Sequence, residues 1–251
     1  MATRFTRSAN SLYDSLLSLL YPQACVICGA SVERRTDGVA CASCWQQVRL
    51  IGSEDNVCWK CGVPSPGNPS RSSPREFRCR TCEHQLFTSA RACGVYEGAL
   101  RATILYLKRE PWLCPRLLDQ SCQLLARAPL YGATRIVAVP LHPQRQKERG
   151  FNQAAVIAKA IAARTHLPFN EKCLIRVSDT VRHRAGMDAR GRYETVANAF
   201  ATPHPLLVKG ERILLVDDVY TTGSTASACA GTLFNAGASD VLVLTLARPM
   251  R

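Results

Sequence analysis

Along the last two thirds of the chain, short apolar runs alternate with amphipathic stretches whose apolar positions recur every three or four residues, predicting strands and helices in turn. Strands are expected over 92–96, 135–139, 173–177, 213–216 and 241–246. Helices are expected over 98–108, 115–127, 153–164 and 223–235, and over part of 187–198. Pro111, Pro129 and Pro140 punctuate the pattern. Such alternation implies an α/β fold with a mainly parallel sheet flanked by helices, whose ligands bind at the carboxyl ends of the strands.

The first third has no such rhythm. Ahead of it, Leu12, Leu16, Leu19 and Leu20 recur at helical spacing, so residues 9–20 are expected to form an amphipathic helix docked on a neighbour. Its polar face is not basic, which argues against membrane attachment. The apolar run 16–20 is too short for a signal peptide or a membrane span, so a cytoplasmic location is expected.

Eight of the thirteen cysteines fall in four pairs with two residues between partners: Cys25/Cys28, Cys41/Cys44, Cys58/Cys61 and Cys79/Cys82. In a reducing compartment this pattern reads as metal ligation rather than a disulfide scaffold. Two thiolates from one tight turn, joined by two from another, complete a closed tetrahedral zinc site, so four pairs make two structural Zn2+ sites. Gly29 and Gly62, each following the second cysteine of a pair, suit a turn that requires positive φ. Intervals of 12 residues between Cys28 and Cys41 and 17 between Cys61 and Cys79 favour pairing consecutive turns. An interleaved scheme, with the first and third turns sharing an ion, remains open on spacing alone. So few large apolar groups cannot hold this region by burial, and metal supplies the missing stability. The Pro- and Ser-rich stretch 64–74 reads as an exposed loop inside the second ribbon, and His84 as a surface residue. Three parts follow: a helix in 1–22, a double zinc ribbon over 23–87 and the α/β domain over 88–251.

Charge adds a class of partner. With 32 Lys and Arg against 19 Asp and Glu the formal charge is +13, which points to a phosphorylated metabolite or nucleic acid. Two four-thiolate zinc centres would lower it to about +9. Aromatic residues, 7% of the chain, are dispersed, and Trp45, Trp59 and Trp112 read as core or interface residues rather than base platforms.

The most informative segment is ILLVDDVYTTGSTASACA, residues 213–230: an apolar strand, two adjacent carboxylates, then a turn of hydroxyls and one glycine opening a helix. Successive side chains of an extended chain point to opposite sides, so Asp217 and Asp218 divide the work, one facing a ligand and one bracing. Thr221, Thr222, Gly223, Ser224 and Thr225 can offer N–H groups and hydroxyls to a phosphate at the positive end of the helix. Neither a GxxxxGK[ST] nor a GxGxxG run occurs. The segment resembles the phosphoribosyl pyrophosphate (PRPP) motif of type I phosphoribosyltransferases, in which the acidic pair meets the ribose hydroxyls and the loop holds the 5-phosphate. A second segment, AVPLHPQRQKERGFNQAA over 138–155, carries Arg145, Lys147 and Arg149 after a strand, a placement suited to a dianionic leaving group. A solvated basic helix start is the plainer reading of the same charges. His142 lies within it, and the polar stretch 176–192, with Arg182, His183, Arg184 and Arg190, is a candidate covering loop.

Together with YEGALRATILYLK over 96–108, these motifs and the cysteine ribbon resemble the ComF/GntX family across nearly the whole chain. The resemblance implies a type I phosphoribosyltransferase fold behind a zinc domain, and a role in uptake of single-stranded DNA during natural transformation. It also implies that Asp217, Asp218, Thr221, Thr222, Gly223, Ser224 and Thr225 bind PRPP with Mg2+, and that Arg145 and Arg149 meet pyrophosphate. Pentosyl transfer is the expected chemistry. A non-catalytic adaptor for single-stranded DNA that keeps the pocket as a sensor is the other reading, with a DNA-uptake helicase or processing protein as a possible partner of either. This chain departs from the family at Arg184 and Thr195, where many members carry Gln and Asn.

Overall fold

A computed structural model of the chain describes residues 23–52, 55–65, 77–177 and 199–250. The expected helices in 9–20 and 187–198 lie outside these, as do most of the loop 64–74 and the candidate covering loop.

Strands β1 (Ser89–Val95), β2 (Arg135–Ala138), β5 (Arg212–Val219) and β6 (Asp240–Arg248) form one sheet in the order β1-β6-β5-β2, every pair parallel. β5 and β6 are central, and from Val241 to Leu244 and Ile213 to Val216 every side chain is fully buried. That is why they read as unbroken apolar runs: a parallel strand covered on both faces has no solvent side to alternate with. The expected strand over 173–177 shortens to β3 (Ile175–Arg176) and leaves the sheet, pairing antiparallel with β4 (Phe200–Ala201).

The helices follow the sequence closely. α1 (Ala42–Gln46) belongs to the first ribbon. α2 (Gly98–Leu107), α3 (Pro115–Leu125) and α5 (Gln153–Thr165) bury Leu100, Ile104, Leu117, Ile157 and Ile161 against the sheet or one another. α6 (Ser224–Asn235) packs separately on β5, β6 and β4. Asn152 caps α5 by accepting from the Ala154 N–H at 3.0 Å. A short helix absent from the expected set, α4 (Pro143–Arg149), starts with Pro143 in its first turn and His142 Nδ1 accepting from the Gln144 N–H at 3.2 Å. Among the described residues no helix is long and apolar enough to cross a membrane.

Both outer edges of the sheet are covered by the chain itself. Along β1, the Val95 N–H donates to Arg49 O and the Ile51 N–H to Cys93 O, both at 2.9 Å, so the connector between the ribbons lies on that edge. On β2, the Ile136 N–H donates to Pro168 O at 2.9 Å. Covered edges cannot recruit another strand.

The tryptophans divide. Trp45 is buried, donates to Asp37 O at 2.7 Å and carries the Arg116 guanidinium 5.3 Å above its ring. Arg116 also pairs with the buried Asp37 carboxylate at 2.8 Å, tying the first ribbon to α3. Trp59 and Trp112, expected inside or at an interface, are partly exposed; Arg78 lies over the first and Tyr106 stands edge-on to the second. His84 is exposed, as expected.

Candidate functional site

The eight paired cysteines gather into two clusters, Cys25/Cys28/Cys41/Cys44 and Cys58/Cys61/Cys79/Cys82, with the sulfurs of each within 4.8 Å of one another. Consecutive turns therefore share a site, and the interleaved scheme is excluded. Sulfur–sulfur distances of 3.8 Å for Cys25–Cys44, 3.6 Å for Cys28–Cys41 and Cys58–Cys82, and 3.5 Å for Cys61–Cys79 are far from a disulfide bond. A tetrahedron with Zn–S bonds of about 2.3 Å has edges of about 3.75 Å, so the thiols already stand at the corners a zinc ion requires. Gly29 and Gly62 take φ of 75° and 68°. A side chain at Gly62 would also start 2.6 Å from the Ala90 carbonyl, because the second knuckle lies against β1.

At the carboxyl end of β5 the two carboxylates part company. Asp218 is buried and its Oδ2 pairs with Lys108 Nζ at 3.0 Å, at the end of α2, while its Oδ1 accepts from the Val219 N–H at 2.8 Å. Asp217 is half-buried and accepts from the Asp218 N–H at 2.8 Å. Desolvation, with the neighbouring Asp218 carboxylate, pushes the Asp217 carboxyl well above the usual carboxylate range. The two acids thus differ in partner and in burial, as alternate orientations from one strand require.

The chain then turns through Tyr220 and Gly223 into α6. Gly223 has φ of 79°, a left-handed conformation that opens the helix, and Thr221, Thr222, Ser224 and Thr225 are exposed around it. The Thr222 hydroxyl lies 2.9 Å from that of Ser224 and accepts from the Ser224 N–H at 3.3 Å. The first N–H groups of α6 have no intrahelical partner and carry the positive end of the helix dipole, so the loop can hold an anion. From below, Gln85 Nε2 donates to Thr222 O at 3.3 Å and the Leu86 N–H to Ser227 Oγ at 2.9 Å, joining the loop to the chain that leaves the second ribbon.

Arg145 and Arg149 lie on α4, which follows β2, the parallel neighbour of β5, and so leave the sheet from the same carboxyl end. Arg145 is exposed; Arg149 donates to Gln153 Oε1 at 2.5 Å. His142 is buried and engaged in capping. Asp217, Asp218 and the loop follow one another from the end of β5 into α6, and the two arginines sit on the helix that follows β2. Sequence reasoning missed Lys108, Tyr220 and Arg248: their partners are remote in the chain, and only the position of Lys108 at a helix end gave any local signal.

The chain is similar to several known proteins. The family described as the double zinc ribbon domain matches residues 16–75. The DNA utilization protein YhgH of Salmonella typhi is 31% identical over 242 residues, covering 92% of this chain and 100% of that protein. Competence protein ComFC of Streptococcus pneumoniae is 26% identical over 244 residues, 89% of this chain and 99% of that one. Competence protein F of Haemophilus influenzae is 35% identical over 117 residues, 45% and 49% of the two chains. Among solved structures, a glutamine PRPP amidotransferase from B. subtilis complexed with ADP and GMP shares 21% identity over 51% of this chain and 26% of that one, at a TM-score of 0.36. That likeness is too loose to carry an argument. The similarity to YhgH, which runs the full length of that protein, does carry one: the chain belongs to the ComF/GntX family of DNA utilization and competence proteins.

Proposed function

We propose that the chain binds PRPP, or another phosphorylated ribose, at the carboxyl end of β5, and acts as a cytoplasmic phosphoribosyltransferase-like protein in DNA uptake. One observation supports this above the others: two unlike carboxylates stand directly before a glycine-hinged loop of hydroxyls at the start of a twelve-residue helix. The 5-phosphate would sit on the loop 221–225, received by N–H groups and hydroxyls, and the ribose diol would face Asp217, with Asp218 braced by Lys108. In this reading the double ribbon of 23–87 supports an α/β domain of 88–251.

Pentosyl transfer would break the bond from the anomeric carbon to the pyrophosphate oxygen and form one to a nitrogen nucleophile, which gives up its proton. Asp217 and Asp218 would stabilise charge developing on the ring, and Arg145 and Arg149 the departing diphosphate. The donor set fits a magnesium ion carried in on the ligand better than a protein cage, since Asp218 is already paired to Lys108. Bound there, the ion would neutralise diphosphate charge.

Titration of the zinc-loaded chain with PRPP and Mg2+ tests the reading. Ligand at about a hundred times its Kd adds about 2.7 kcal/mol, which raises the melting temperature of a chain this size by about 5–10 °C. Asp217→Ala with Asp218→Ala should remove the rise. No rise in the unaltered chain refutes the pocket. Release of pyrophosphate with candidate nitrogen acceptors then separates a transferase from a sensor.

The adaptor reading is favoured by a separate observation, the +13 charge together with the solvent-facing Arg145 and Lys147 on α4. It predicts direct contact with single-stranded DNA.

A further inference from the structure

Arg248, the last residue of β6, is only 4% exposed, yet among the described residues no carboxylate pairs with it, and its Nε has no hydrogen-bond partner. Its Nη1 donates to the carbonyl of Cys61 at 2.5 Å, and its guanidinium lies 5.0 Å over the ring of Tyr220. Tyr220 is buried, edge-on to Phe87 at 6.0 Å, and fills the space a side chain at Gly223 would need. A continuous line of contacts thus runs from a cysteine of the second cluster, through Arg248 and Tyr220, to the residue that hinges the loop. Cys61, Cys79 and Cys82 share one small cavity with Tyr220, Thr222 and Arg248.

A buried guanidinium without a counter-charge is costly. Four thiolates around one divalent ion would leave a formal charge of about −2, and Arg248 lines one cavity with three of those cysteines. Arg91, whose Nη1 donates to Trp59 O at 3.1 Å, flanks the same cluster. A loaded metal centre and the arginine would therefore stabilise one another, and the flat face of the guanidinium lies against the tyrosine that shapes the loop.

We propose that Arg248 is a positioning residue for the loop 221–225, oriented by the second zinc centre, so that occupancy of that centre sets the loop's affinity for a ribose phosphate. The affinity clause rests on reading the loop as a phosphate cradle; the mechanical link does not. The first ribbon supplies an internal control, because Arg116 stacks on Trp45 in a similar way with no contact to the loop among the described residues.

The experiment compares the zinc-loaded full chain with Arg248→Met, Arg248→Lys and Arg116→Met. Amide hydrogen exchange across 221–225 should quicken about tenfold in Arg248→Met and stay unchanged in Arg116→Met. Ribose 5-phosphate should bind about tenfold more weakly to Arg248→Met by calorimetry. By reciprocity, saturating ribose 5-phosphate should slow chelator release of one of the two zinc ions in the unaltered chain, and lose that effect in Arg248→Met. Arg248→Lys keeps the charge but not the flat stack, and should loosen the loop to a smaller degree; it carries the same readout if the methionine variant does not fold. Unchanged loop exchange in the Arg248 variants, or equal loosening in Arg116→Met, overturns the link. Absence of ribose 5-phosphate binding to the unaltered chain instead overturns the phosphate reading and the affinity clause with it, while loop exchange still decides the link.

Discussion

Gly223→Ala adds one methyl group at the hinge of the loop, and the structure fixes what that group meets. With φ at 79°, any side chain pays the left-handed cost of about 1–2 kcal/mol. The new carbon would also lie 2.7 Å from Tyr220 Cζ and closer still to its hydroxyl oxygen. Tyr220 cannot simply swing aside, because Phe87 stands against its edge and Arg248 over its face. Displacing a packed ring adds about 1–3 kcal/mol. The total of about 2–5 kcal/mol corresponds to a fall in melting temperature of about 4–20 °C for a chain of this length. Gly132→Ala provides the reference, since Gly132 has φ of 85° and a methyl group there would meet nothing within 4 Å. Both variants would be melted in excess Zn2+, and Gly223→Ala combined with Tyr220→Ala should recover the steric part as a coupling of about 1–3 kcal/mol. If Gly223→Ala melts within about 2 °C of Gly132→Ala, Tyr220 is not wedged and the rigid-loop reasoning fails.

Three further outcomes follow from other parts of the molecule. Metal analysis should find two zinc ions per chain, with Cys41→Ser or Cys61→Ser each losing one; full occupancy in either variant would contradict the cluster assignment. Because the Asp217 carboxyl is raised in the folded state, the folded chain keeps a proton that the unfolded chain releases. That contribution costs stability as pH rises above about 4, the ordinary carboxylate range, and levels off above the raised value. Asp217→Asn should therefore melt higher at neutral pH, by about 0.5–2 kcal/mol, and converge with the unaltered chain in acid, while binding PRPP more weakly; a gain that persists below about pH 4 would refute the assignment. Finally, if single-stranded DNA is a direct partner, the logarithm of its affinity should fall linearly with the logarithm of salt concentration, and a flat response would remove that partner.

Much of this was legible because the chemistry is local. Two cysteines two residues apart announce a metal turn on their own, and β5 followed by Asp217, Asp218 and the loop places strand, acids and helix start within one short segment. Where the signal depended on distant partners it disappeared. Nothing around Arg248 marks it as buried over the ring of Tyr220, and nothing around Lys108 marks it as the partner of Asp218, since each contact joins remote stretches of chain. α4 was missed for a different reason: its residues, PQRQKER, include no apolar position beyond the opening proline, so no periodicity could betray it, and only its basic charges read as a helix start. The strand expected at 173–177 is apolar because Cys173 and Leu174 are buried, but burial alone does not choose a partner, and the pairing went to Phe200 and Ala201 instead.

The connector laid along β1 gives the ribbons a second duty. Arg49 and Ile51 occupy hydrogen-bonding groups that would otherwise face outward on a hydrophobic strand, and the metal turns on either side hold that connector in register. A chain stripped of zinc would let the cover peel away, baring a sticky margin on which neighbouring copies could stack. Metal starvation would then threaten the protein through clumping as well as through the loop.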